Sequence, residues 1–115
     1  MAAATLMNKT LDLEQLRSQT GHDDELAAEI LTLFAAQLHT LSRDICSSSD
    51  AHAGTVAAHT LVGSARSVGA HDLAEIAHRI ECDGLDGLAD KFTAEVERVL
   101  REVRMITEGA SLQLD

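Results

Sequence analysis

The sequence predicts an all-α protein, an antiparallel up-down-up-down four-helix bundle with a short additional N-terminal helix. Three observations carry that expectation. The chain has no proline, tryptophan or tyrosine, and its apolar residues are chiefly Leu, Ala, Val and Ile, a mixture read here as favouring helices over sheets. Those residues recur at the three-and-four spacing of amphipathic helices. The segments between them are only a few residues long, so consecutive helices are expected to be antiparallel neighbours.

The elements follow in order. Leu11 to Gln19 forms a short helix, broken at Gly21, with Leu13 and Leu16 capping one end of the bundle. Leu26, Ile30, Leu33, Phe34, Gln37, Leu38, Leu41 and Ile45 trace the apolar face of a long helix from about Asp23 to Cys46. The acidic trio Asp23-Asp24-Glu25 suits its N-terminus. Ser47-Ser48-Ser49-Asp50 is a turn that also supplies an N-cap, which opens the next helix over Ala51 to Val68. Gly69 stops it. Leu73, Ile76, Ala77 and Ile80 give a shorter helix from about His71 to Asp83, ended by Gly84, and Gly84-Leu85-Asp86-Gly87 is a tight connection. Leu88, Phe92, Val96, Val99, Leu100, Val103 and Ile106 trace the last long helix. The tail Gly109 to Asp115 is expected to fray.

A chain of 115 residues with 45% hydrophobic content is one domain with one core. Residues 1–115 are therefore read as a single unit, its core running from about 12 to 107 between flexible ends. Nine basic residues against nineteen acidic ones leave a net charge of -10. That balance repels nucleic acid and anionic membrane rather than neutralising them. The apolar runs fall short of the ~20 residues that cross a bilayer, and the first residues lack the pattern of a secretion signal. A cytoplasmic location is expected. Cys46 and Cys82 are too few for a disulfide framework and belong to no Cys-x-x-Cys pair. They are read as reduced thiols packed as small apolar groups.

Several chemistries can be set aside. No glycine-rich loop followed by lysine is present to cradle nucleotide phosphates, and no Gly-x-Ser-x-Gly elbow appears. Glu75-Ile76-Ala77-His78 has the Glu-x-x-His form that di-metal bundles use twice. It occurs once, and both side chains point away from the side defined by Leu73, Ile76 and Ile80. No metal site and no cofactor is expected. His22, His39, His52 and His71 share no spacing and read as surface residues.

His59 is different because of its neighbours. At ~100° per residue, Leu61, Val68, Ala57, Ser64 and Ala65 gather on one side of the wheel of the Ala51 to Val68 segment, and His59, Val62, Gly63 and Arg66 on the other. His59 therefore faces solvent. One turn on, Gly63 costs a helix roughly 1 kcal/mol relative to alanine and packs against nothing. What it offers is clearance, so that another protein's active site can approach the imidazole. Val56 and Val62 are expected beside it as exposed apolar groups suited to docking. Arg66, two turns beyond His59, carries a cation that can pair with phosphate oxygens.

With Ala58-His59-Thr60-Leu61, Gly63-Ser64-Ala65, Gly69-Ala70, Leu73, Ala77 and Ile80-Glu81, the chain resembles the histidine-containing phosphotransfer (HPt) domains of multistep two-component phosphorelays. Asp12 to Leu16 and Leu31 to Phe34 also look like that family's opening helices, so the likeness extends from about Asp12 to Arg104. The resemblance implies that His59 is a phosphoacceptor, taking a phosphoryl group from an aspartate of one receiver domain and passing it to another. It implies no nucleotide and no kinase activity, a divalent metal carried by the receiver, and response-regulator receivers and a hybrid histidine kinase as partners. Glu81 stands where the family has Glu or Gln, and is expected to accept a hydrogen bond from the imidazole and fix its tautomer. One departure stands out: Val62 occupies a position where the family commonly has lysine. That leaves a second reading, an HPt-like module that docks a receiver or kinase without being phosphorylated. A solvated imidazole is largely neutral at cellular pH, so His59 can act as its own nucleophile. A monomer is expected, since His59 must stay open and a complete bundle buries its own apolar faces.

Overall fold

Short polar side chains start three of the helices. In the computed structural model, which describes residues 10–47 and 49–108, Asp12 accepts from the Gln15 amide at 3.1 Å and opens α1, Leu13–Gln19. Asp23 Oδ1 accepts from the Leu26 amide at 3.1 Å at the start of α2, Asp24–Ser47. Asp50 accepts from the His52 amide at 2.9 Å and opens α3, Ala51–Ser67. Each of these bonds satisfies an amide that a helix start leaves without an intrahelical partner. α4 spans His71–Asp83 and stops at Gly84, whose φ is +89°. α5 spans Ala89–Thr107. Among the described residues every regular element is a helix, in keeping with the predicted fold class. The expected bounds hold to within two residues. The fraying tail and Ser48 of the expected turn lie outside the described residues.

The long helices close into a ring: α2 packs on α3, α3 on α4, α4 on α5, and α5 back on α2. Ile45 and Cys46 of α2 share a cavity with Asp50, Ala51, Gly54 and Thr55. Nearer the N-terminus of α2, Ile30, Leu33, Phe34 and Gln37 line a groove with Ser64, Ser67 and Val68 at the far end of α3. These two helices therefore run antiparallel. The interior is filled by Leu31, Phe34 and Leu38 of α2, Leu61 and Ala65 of α3, Leu73 and Ala77 of α4, and Phe92, Val99 and Ile106 of α5.

α1 fastens over the α3–α4 turn. The Asp12 amide donates to the Gly69 carbonyl at 2.9 Å, and Gln15 Nε2 to the Arg66 carbonyl at 3.1 Å. Leu11 and Leu16 are buried beneath it. Gly69 is required here for two reasons. Its φ is +83°, and a Cβ built on it would lie 2.8 Å from the Asp12 carbonyl oxygen.

Some expectations about the interior are corrected. Leu33 is 71% exposed and Leu26 41%, and Gln37 is also exposed. α2 carries two adjacent apolar stripes. Ala27, Leu31, Phe34, Leu38 and Ile45 form the one turned inward, and Leu26, Ile30, Leu33 and Gln37 form its flank. Val62 is buried at 6%, not exposed beside His59, because α3 packs on α2 and α4 at once and its buried arc is wider than a single wheel face. Cys46 and Cys82 are unbonded and exposed rather than packed inside.

Glu95 is a buried carboxylate that the apolar pattern of α5 did not signal. It is 4% exposed, its Oε1 accepts from Arg98 at 2.5 Å, and among the described residues its Oε2 has no hydrogen-bond partner. Burial pushes its pKa up, with Asp72 and Glu102 adding to the rise and Arg98 opposing it. Folding therefore favours the protonated acid. Its stabilising contribution is complete below the ordinary carboxylate range and is lost as pH climbs through the raised value.

Two outcomes are expected. Gly69→Ala should cost about 2 kcal/mol or more, read as a fall in Tm of roughly 8 °C or more. For Glu95→Gln, thermal melts against pH should show the variant gaining on the wild type as pH rises from about 4.5 towards neutrality. A difference independent of pH would show that Glu95 titrates alike in the folded and unfolded chains.

Candidate functional site

Val56, His59, Gly63 and Arg66 fall at three-and-four spacing, and α3 is a helix throughout this stretch. They therefore share one outward stripe. His59 lies in the middle of the helix with its side chain 75% exposed. A mid-helix backbone is fully hydrogen-bonded, so the position of the ring is set by a rigid element rather than a loop. Gly63 is exposed, and a Cβ built on it would meet nothing within 4 Å. Its absent side chain therefore serves no packing need.

α4 supplies the partner. Glu81 Oε2 lies 2.6 Å from His59 Nδ1 across the α3–α4 interface, with the Glu81 side chain 25% exposed. A carboxylate has no proton to give, so the ring nitrogen donates and the proton sits on Nδ1. In the neutral ring Nε2 then keeps its lone pair. The pairing of His59 with Glu81 expected from the sequence is thus present in the geometry.

The remaining predicted residues divide. Val56 is 50% exposed beside the stripe, whereas Val62 points into the packed interior and is removed from the exposed face. Arg66 is exposed, about 10 Å along the helix axis from His59 at 1.5 Å per residue. Among the described residues no carboxylate pairs with it. Glu75 and His78 are both exposed, and among the described residues no group of three or more His, Cys, Asp or Glu side chains could hold a metal ion.

Two features were missed. Leu33, placed in the core by its spacing, instead lines a shallow groove with Ile30, Phe34, Gln37, Ser64, Ser67 and Val68, on the flank of the helix that carries His59. The signal was present in the sequence, since Leu33 belongs with Leu26, Ile30 and Gln37 rather than with Leu31 and Leu38. His78, considered only as a metal ligand, sits with Nδ1 3.8 Å from Glu81 Oε1 and Nε2 3.8 Å from Cys82 Sγ. One carboxylate therefore faces two imidazoles. Sequence spacing shows His78 and Glu81 one turn apart, but only the packing of α3 on α4 adds His59.

The site thus has an exposed, tautomer-fixed imidazole on a rigid helix, a glycine clearing its surroundings and apolar surface alongside. Among the described residues no helix is long and apolar enough to cross a membrane. The family model for the Hpt domain matches residues 12–106. Searches of curated proteins and of solved structures found no match.

Proposed function

The chain belongs to the Hpt domain family, and from that premise we propose that it is a phosphorelay intermediate whose phosphoacceptor is His59. Hpt domains are phosphocarrier modules of two-component phosphorelays and not kinases. The observation that carries the assignment to His59 is the 2.6 Å contact between its Nδ1 and Glu81, which turns Nε2 away from the carboxylate on a ring open to solvent.

The chemistry needs little more from this chain. Nε2 attacks the phosphorus of an aspartyl phosphate on a receiver domain, forming the N–P bond as the P–O bond to the aspartate breaks and its carboxylate leaves with the electron pair. The ring becomes cationic as it bonds, and Glu81 stabilises that charge through the Nδ1 proton. Transfer onward to a second receiver reverses these bond changes. In-line placement and charge neutralisation dominate phosphoryl transfer, and the receiver's own divalent metal and acidic pocket supply most of the latter. Arg66 is the cation of this chain closest to that role along the stripe. The family's common lysine is replaced by Val62, and Val62 is buried.

The docking face in this reading consists of Val56 and Gly63 together with Leu33, which replaces Val62 in that role. The partners are response-regulator receivers and a hybrid histidine kinase. The protein acts as a cytoplasmic monomer, needs no cofactor of its own and binds neither nucleic acid nor membrane, with its net charge of -10 supporting those exclusions.

Incubation with a phosphorylated receiver domain should place acid-labile label on the wild type and none on His59→Gln. Equal labelling of both would remove the assignment. A stable complex with receiver but no label on wild type would favour the docking-module reading. Gly63→Leu should melt at or above the wild-type temperature, because leucine is the better helix former and the site is open. Its transfer should nevertheless slow by about tenfold or more, the equivalent of ~1.4 kcal/mol. Unchanged kinetics would place the docking face elsewhere.

A further inference from the structure

The Glu81 carboxylate is shared. Its Oε2 takes the His59 proton at 2.6 Å, while Oε1 lies 3.8 Å from His78 Nδ1. The longer separation is outside hydrogen-bond range, so a neutral His78 makes no demand on the carboxylate. A protonated His78 becomes an opposite charge at ion-pair distance. Its ring is open to water, at 52% exposure of the side chain, so it can take up a proton without crossing the interior. The other groups facing this pair are His59 from α3 and the Cys82 thiol from α4. Among the described residues, no charged side chain of α5 stands within ion-pair distance of either Glu81 or His78.

We propose that His78 is a positioning residue for phosphoryl acceptance, whose protonation draws Glu81 away from His59 and slows attack by Nε2. This inference rests on the phosphoryl role of His59 proposed above. Its physical content is a competition. With His78 neutral, both the orientation and the electron donation of Glu81 go to His59. With His78 cationic, the carboxylate is held between two rings, the Nδ1 proton of His59 is less firmly accepted, and the ring charge that develops during attack is less well stabilised. The phosphoryl group forms on Nε2 of His59, whereas His59 and His78 both meet Glu81 through Nδ1, so the new cation acts first on the carboxylate. Protonation of His78 is what turns the 3.8 Å contact into an ion pair, which makes acceptance by this chain sensitive to acidification.

The test compares wild type, His78→Gln and His78→Arg with one phosphorylated receiver as donor, initial rates being taken as ratios at each pH so that the donor's own pH dependence cancels. At about pH 8 wild type should match His78→Gln, and His78→Arg should be slower by roughly two- to fivefold, the range expected of an exposed charge pair. Towards about pH 6 the wild-type rate should leave that of His78→Gln and approach that of His78→Arg. In ¹⁵N NMR without a partner, the His59 nitrogens should respond to the titration of His78 in wild type and lose that response in His78→Gln. A wild-type to His78→Gln ratio constant across pH, or His78→Arg as fast as His78→Gln, overturns the inference while leaving the phosphoryl role intact. No label on wild type at any pH removes the role of His59 and the inference with it.

Discussion

The candidate site depends on how closely α3 and α4 approach. Of the residues these helices bury, Ala57, Ala58 and Ala65 belong to α3, and Ala74 and Ala77 to α4. Side chains at the contact set the distance between packed helices, and small ones permit a close approach. A glutamate on one helix can then reach the imidazole of the other directly. Larger residues would open a gap that a water molecule would have to bridge, and a bridging water can donate to the ring as readily as accept from it. The tautomer of His59 would then be undefined. The alanines thus connect core packing to the protonation state of one surface nitrogen.

The turn that joins these helices is constrained in the same spirit. Gly69 adopts a φ of +83° with Asp12 pressed against it, and Asp12 is also the N-cap of α1 and lies 3.7 Å from His71 Nε2. One aspartate therefore starts a helix, closes a hairpin and neighbours the first residue of α4. α1 adds little to the main interior, yet it clamps the end of the hairpin whose middle holds His59 and Glu81. The clamp acts on the turn that joins the two helices, and so bears on a site that α1 does not touch.

The helices were legible in the sequence because their signals are local: apolar residues at three-and-four spacing, aspartates at helix starts and glycines at the ends. His59 and Gly63 were legible for the same reason, since both depend only on the wheel of one helix. What the wheel cannot convey is the width of the buried arc, which depends on how many neighbours a helix has. Val62 lies at the edge of that arc and was placed outside, and Leu33 lies beyond the edge on α2 and was placed inside. Glu95 was missed because its burial is imposed by flanking Phe92, Val96 and Val99, which bring the whole face inward whatever the charge on it. Glu81 was legible only through resemblance to a family, and its second neighbour His78 only through packing. Contacts between helices are the part of a bundle that periodicity leaves open.

These contacts also bear on how much of the chemistry a small helical domain must carry. A helix surface offers no enclosed pocket in which to desolvate a phosphoryl group, and burying His59 to make one would close it to the receiver. The workable division is for this chain to fix a nucleophile, its tautomer and its direction, all of which a rigid helix and one carboxylate can supply, and to leave charge neutralisation to the partner. In the proposed relay role, Val62 at the position where the resemblance leads one to expect lysine would take that division further, leaving more to what docks against the chain. On this view Leu33, Val56 and Gly63 matter as much as the imidazole. In the proposed relay, the fit of the two surfaces would then decide whether phosphorus meets Nε2 in line.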